Sequence, residues 1–220
     1  MSAERAPLVR YKIPGPAGPL EVLFRPGPRH GALRGGAVVC HPHPLYGGSM
    51  HTRPVFHLAA ALHEAGYASL RLNFRGVGLS AGRYTGGPGE REDVRSALAH
   101  LEERLPGGDR LVAGHSFGAW VGLRVGTENA RVGRLIGVGM PLDVYEFGFL
   151  DGVSKDMLFV QGDRDRFGSA ASVRALAERV GGCAVILPGG EHLLEGHLAQ
   201  LRDAVREHLA RPETGVPPRA

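Results

Sequence analysis

The sequence predicts an α/β protein: a mostly parallel, doubly wound sheet of about seven or eight strands, with helices on both faces and no large cap domain. Three observations predict it. Short apolar runs alternate with stretches of helical period from residue 37 to residue 210, a pattern that implies βαβ crossovers. Those runs lack polar alternation, as strands covered on both faces do. No internal repeat or linker-like tract divides the 220 residues, a length suited to one sizeable core. A single domain is therefore expected over residues 1–210, with a frayed tail at 211–220, where three prolines fall.

Taken in order, apolar segments 8–13 and 20–24 flank a Pro- and Gly-rich connection and read as two strands joined by a turn. Residues 37–40 form a short apolar strand, and 52–65 a helix ending at Gly66. A strand is expected at 68–73, then a helix at 90–105 stopped by Pro106-Gly107-Gly108. Residues 110–113 and 117–126 read as strand and helix, 134–138 and 157–160 as two strands. A helix at 169–180 stops at Gly181-Gly182; the last strand is 183–187 and the last helix 196–210.

Composition narrows the function classes. The formal charge is +4, carried almost wholly by arginine, since Lys12 and Lys155 are the only lysines. The arginines are spread along the chain near acidic residues, not gathered in a stripe or tail, so a nucleic-acid partner is not expected. Cys40 and Cys183 both read as buried strand thiols, which fits a reducing compartment better than a disulfide framework. No segment has the length of a membrane span and the N-terminus has no apolar leader, so a cytoplasmic location is expected.

Chemistry enters at Gly114-His115-Ser116-Phe117-Gly118. A serine between a predicted strand and a predicted helix, with glycine two positions to either side, fits a sharp turn that leaves room only for glycine beside the nucleophile. The same turn sets Phe117 N–H at a helix N-terminus, where developing negative charge is stabilised. Ser116 as a simple helix N-cap is the blander alternative.

A serine hydroxyl needs a base, and the base an orienting carboxylate; on sheets of this kind they follow the serine in the order acid, then histidine. Strand 157–160 leads into a loop bearing Asp163 and Asp165, and strand 183–187 into a loop bearing His192. Among eleven histidines His192 stands apart by this position, whereas His100, His197 and His208 fall in predicted helices as surface or packing residues. Asp165 is favoured as the acid, because the longer reach lets the loop turn back toward His192. Asp163 would then hold the loop through backbone N–H groups.

The loop 41–50, His-Pro-His-Pro-Leu-Tyr-Gly-Gly-Ser-Met, follows the third strand, where a second N–H for the oxyanion is needed. Pro42 and Pro44 have no N–H to give. His43 is favoured over Leu45, with His41 bracing the loop. A metal site on His41, His43 and His51 is the rival reading, but no acidic cluster completes it; neither metal nor cofactor is expected.

Together His41–Met50, residues 73–80 (Asn-Phe-Arg-Gly-Val-Gly-Leu-Ser), Gly114–Gly118, the Gln161–Asp165 stretch and Gly190-Glu191-His192 resemble the small bacterial α/β-hydrolases with an H-P-H-P front loop, relatives of dienelactone hydrolases and carboxylesterases. The resemblance runs in order from about residue 36 to residue 209. It implies a Ser116–Asp165–His192 triad and an oxyanion hole from Phe117 N–H and the front loop. It also implies that residues 73–80 form a loop beside the site, shaped by Arg75 and the glycines. Dienelactone hydrolases proper carry a cysteine nucleophile, which speaks against dienelactones as substrates.

Residues 139–156 are too few for a cap; Tyr145, Phe147 and Phe149 could line a pocket wall, form a partner surface or simply pack under the loop. The expected activity is hydrolysis of a small or medium soluble ester through an acyl-enzyme. Thioesters or amides are the nearest alternatives, and a non-catalytic binding protein is the reading from another class. The sequence does not speak to oligomeric state.

Overall fold

The computed structural model describes residues 8–28 and 32–211, so the expected tail lies outside them beyond Arg211. Among the described residues, eight strands form one sheet: β1 (Val9–Ile13), β2 (Leu20–Arg25), β3 (Gly35–Cys40), β4 (Tyr67–Leu72), β5 (Asp109–His115), β6 (Val132–Val138), β7 (Asp156–Gly162) and β8 (Cys183–Leu187). Their order is β1-β2-β4-β3-β5-β6-β7-β8. The first hairpin runs antiparallel, and β3 to β8 are parallel.

Among the described residues, five helices cover the sheet: α1 (Arg53–Glu64), α2 (Pro88–Arg104), α3 (Phe117–Glu128), α4 (Ala170–Val180) and α5 (Leu198–Ala210). The strands are apolar on both faces because both are covered. Val38 and Cys40 of β3 belong to the core shared with α2, α3 and α4 on one face, and the alternating Ala37 and Val39 to the core shared with α1 and α5 on the other. Among the described residues no helix is long and apolar enough to cross a membrane.

Helix starts and stops follow local chemistry. Proline opens α2, and the Glu90 carboxylate accepts from the N–H groups of Thr85 and Gly87 just ahead of it. Ser169 caps α4, which ends on Gly181 at φ +67°. The last helix begins at Leu198, two residues later than expected, because Gly196 sits at φ +77°.

One expectation needs correction: Cys183 is only half-buried, since β8 is the outer strand of the sheet among the described residues. His208 proves to be a packing residue, its Nε2 meeting Asp156 Oδ1 at 2.9 Å and tying α5 to β7.

From β3 the chain steps through α1 to β4 on one side, then crosses through α2 to β5 on the other. The strand order therefore reverses between β3 and β5. Ligands of open α/β sheets bind at the carboxyl ends of the strands at such a point.

Candidate active site

β5 ends at His115 and α3 begins at Phe117, so Ser116 alone makes the turn. Its backbone sits at φ +57°, ψ −124°, a region that costs a non-glycine residue on the order of 1–3 kcal/mol. The surroundings hold it there: Ser116 N–H donates to Val138 O of β6 at 2.9 Å, and Ser116 O accepts from Ala119 N–H at 2.8 Å. The flanking glycines are sterically required. A Cβ on Gly114 would lie 2.3 Å from Gly118 O, and one on Gly118 would lie 2.4 Å from His41 O.

His192 lies in the loop after β8 with Nε2 2.9 Å from Ser116 Oγ and Nδ1 2.7 Å from Asp165 Oδ2. A carboxylate only accepts, so the proton sits on Nδ1 and leaves Nε2 free to accept from the serine hydroxyl. Asp165 is fixed in turn, its other oxygen accepting from Phe167 N–H at 2.9 Å. Its side chain is fully buried, while that of His192 keeps 17% of its surface exposed. Asp163 points elsewhere and accepts from Gly189 N–H at 2.7 Å, linking the two loops.

Two supporting residues escape a reading of the sequence. His115 is completely buried, and its Nε2–H donates to the His192 carbonyl at 2.9 Å; the two rings lie 4.9 Å apart. Burial pushes its pKa down to about 3, so it stays neutral beside His192. Gln161, at the end of β7, accepts from Met140 N–H at 2.6 Å and donates to Gly168 O at 2.7 Å, joining the loop after β6 to the acid loop. A polar residue closing an apolar strand was the one available signal for Gln161. For His115 there was none, because its partner is 77 positions away.

The front loop closes on itself. Tyr46 and Gly48 N–H both donate to His43 O at 3.1 Å, within a short 3-10 turn at Pro44–Tyr46. His41 braces it from below: Nδ1–H donates to Pro42 O at 2.6 Å, and Nε2 accepts from Phe74 N–H at 3.0 Å. His41 is fully buried, which lowers its pKa to about 4. The His43 ring accepts from Leu45 N–H at 3.2 Å through Nδ1 and bonds the Tyr84 hydroxyl at 2.9 Å through Nε2. Both ring nitrogens of each histidine thus have protein partners. Among the described residues, no three His, Cys, Asp or Glu side chains form a group that could hold a metal ion.

The loop 73–80 packs alongside. Asn73 Oδ1 accepts from Met50 N–H at 2.8 Å, and Arg75 forms a buried ion pair with Asp93 at 2.7 Å. Arg75 thus shapes this loop and lies away from Ser116. Above the serine is an open cleft of about 1100 Å³, bordered by the front loop, Val144 and Tyr145, Arg164–Phe167 and Glu191–Glu195. Between β6 and β7 the chain adds only a 3-10 turn at Gly148–Leu150, so no cap covers the cleft.

Comparison with known proteins agrees with this architecture. A family model described as serine aminopeptidase S33 matches residues 36–144. An uncharacterised protein of Rickettsia prowazekii is 32% identical over 184 residues, covering 79% of this chain and 77% of that one. Among solved structures, an α/β serine hydrolase without lid from Xanthomonas campestris is 32% identical with a TM-score of 0.86, over 96% of this chain and 97% of that one. An α/β serine hydrolase homologue from Coxiella burnetii is 35% identical with a TM-score of 0.85, over 91% and 97%.

Proposed function

The chain belongs to the α/β-hydrolase superfamily, and from that premise we propose that it is a serine hydrolase cleaving carboxylic esters of small or medium soluble substrates through an acyl-enzyme. The observation that carries this reading is the hydrogen-bonded series Asp165–His192–Ser116, ending on a serine held at positive φ beneath an open cleft.

In the first step His192 Nε2 takes the Ser116 proton as Oγ attacks the ester carbonyl. Asp165 keeps the imidazole in the Nδ1–H form and stabilises the imidazolium that results. The oxyanion is held by Phe117 N–H, one of the unpaired donors of the first turn of α3, and by His43 N–H. Leu45 N–H, the alternative donor, is engaged by the His43 ring, which favours His43 for this role. His192 then protonates the leaving alcohol, and water enters by the same route to release the acid.

Fluorophosphonate labelling is the direct test. Wild-type protein is expected to label, and Ser116→Ala is expected not to; equal labelling of both refutes the nucleophile. A panel of matched esters, thioesters and amides then separates the ester reading from its neighbours. The uncapped cleft predicts faster turnover of short p-nitrophenyl esters than of long-chain triglycerides.

A further inference from the structure

The chain holds one tryptophan and five tyrosines. The tryptophan and three of the tyrosines gather around Phe117 and His43, and of the four Tyr46 and Tyr145 border the cleft. Trp120 stacks on Tyr145 with ring centres 4.4 Å apart and planes 14° from parallel. Phe117 touches both, at 5.8 and 6.0 Å. The His43 ring lies 5.1 Å from Phe117, 4.6 Å from Tyr46 and 4.8 Å from Tyr84.

Core packing accounts for the inner members, since Phe117 is buried and Trp120 half-buried. It accounts in part for Tyr145, which is half-buried against the same core, and not for Tyr46, which is 86% exposed; both border the cleft. Trp120 and Phe117 hold the Tyr145 ring from behind, and Tyr46 rests against the His43 ring with its other surface open to the cleft. Burial, with Tyr84 and Tyr46 nearby, pushes the Tyr145 phenol up to about 12, so Tyr145 is a neutral ring at the cleft.

The proposed chemistry orients the substrate in the cleft. The leaving oxygen must reach His192 Nε2, and the carbonyl oxygen must reach Phe117 and His43 N–H. The acyl substituent then lies on the side away from His192, and Tyr46 and Tyr145 are the aromatic border of the cleft assigned to it. The acid and histidine loops bring Arg164, Arg166 and Glu191 to the cleft, with Phe167 as their one phenyl ring there, 4.6 Å from the His192 ring.

We propose that Tyr46 and Tyr145 form an aryl subsite, and that the substrates are esters whose acyl group ends in an aromatic ring. The inference rests on the serine-hydrolase reading for its orientation. Ring-on-ring contact adds to simple burial, and the increment corresponds to roughly a two- to tenfold preference over a saturated ring of equal size.

Methyl phenylacetate and methyl cyclohexylacetate form the matched pair. Trp120, being the sole tryptophan and stacked on Tyr145, reports binding by its fluorescence, which can be titrated on Ser116→Ala without turnover. The aryl ester is expected to bind roughly two- to tenfold more tightly, and to show the same preference in kcat/KM on the wild type. Tyr145→Leu is expected to abolish the preference and Tyr145→Phe to keep it. Tyr46→Leu, at an exposed position that leaves the fold intact, is expected to reduce it. Equal binding of the two esters overturns the subsite, as does a preference that survives both leucine variants. Absent turnover with the binding preference intact would refute the hydrolase reading alone, and turnover with no preference would refute the subsite alone.

Discussion

Asp163 and Asp165 share one loop, and only their bonding tells them apart. Asp165 meets the His192 ring, whereas Asp163 meets the Gly189 backbone. Asp165→Asn is expected to lower kcat by about 10⁴-fold, because an amide favours the wrong imidazole tautomer. Asp163→Asn keeps an acceptor for Gly189 N–H and is expected to stay within a few-fold of wild type. Steady-state kinetics on the two variants checks the assignment; a reversed pattern would contradict it. At this scale the sequence was informative where position alone decides. Ser116 is set by its two glycines, and His192 by following the last strand. It was silent where a role depends on a contact across the fold, as for His115 under the His192 loop or Tyr84 against the His43 ring.

At the scale of elements, strands and helices were legible because each carries its own cue: an apolar run, a helical period, a proline or a glycine. Burial of β8 was not, because which strand lies outermost depends on strand order, and no local pattern encodes that. The elements that carry the site are also pinned individually. Lys155 Nζ donates to the carbonyls of Gly126, Asn129 and Val132, clamping the C-terminal end of α3. Lys155→Met removes all three bonds and is expected to cost about 1–3 kcal/mol, seen as a lower urea midpoint with kcat little changed. Gly118→Ala should do more. Its Cβ would meet the His41 carbonyl, so both the elbow and the front loop would have to shift. Loss of fluorophosphonate labelling in a variant that retains its far-UV circular dichroism is the expected result.

For the whole molecule, the buried histidines set an acid limit. His41 and His115 have folded pKa values of about 4 and about 3, below the ordinary 6.5, because burial disfavours their charged forms. Below pH 6.5 the unfolded chain takes up protons that the folded one refuses, so stability falls with pH. The contribution is complete above 6.5 and is lost as pH drops toward 4 and below. For His41 alone this amounts to about 3 kcal/mol. Urea midpoints at pH 7, 5.5 and 4.5 are expected to fall in that order, and a flat series would contradict it. At the opposite edge of the sheet from the cleft, Arg134 pairs with Asp156 at 3.1 Å and bonds the Tyr67 hydroxyl at 3.1 Å, and His208 closes the group. The order of the strands has a further consequence. Ser116, Asp165 and His192 follow β5, β7 and β8, whereas Tyr46 and Tyr145 stand on the loops after β3 and β6, so the proposed chemistry and the proposed aryl subsite draw on different strands. Tyr46 N–H also donates to His43 O, which ties that tyrosine to the proposed oxyanion loop; Tyr145 is the position an engineer could exchange with the least disturbance of the triad.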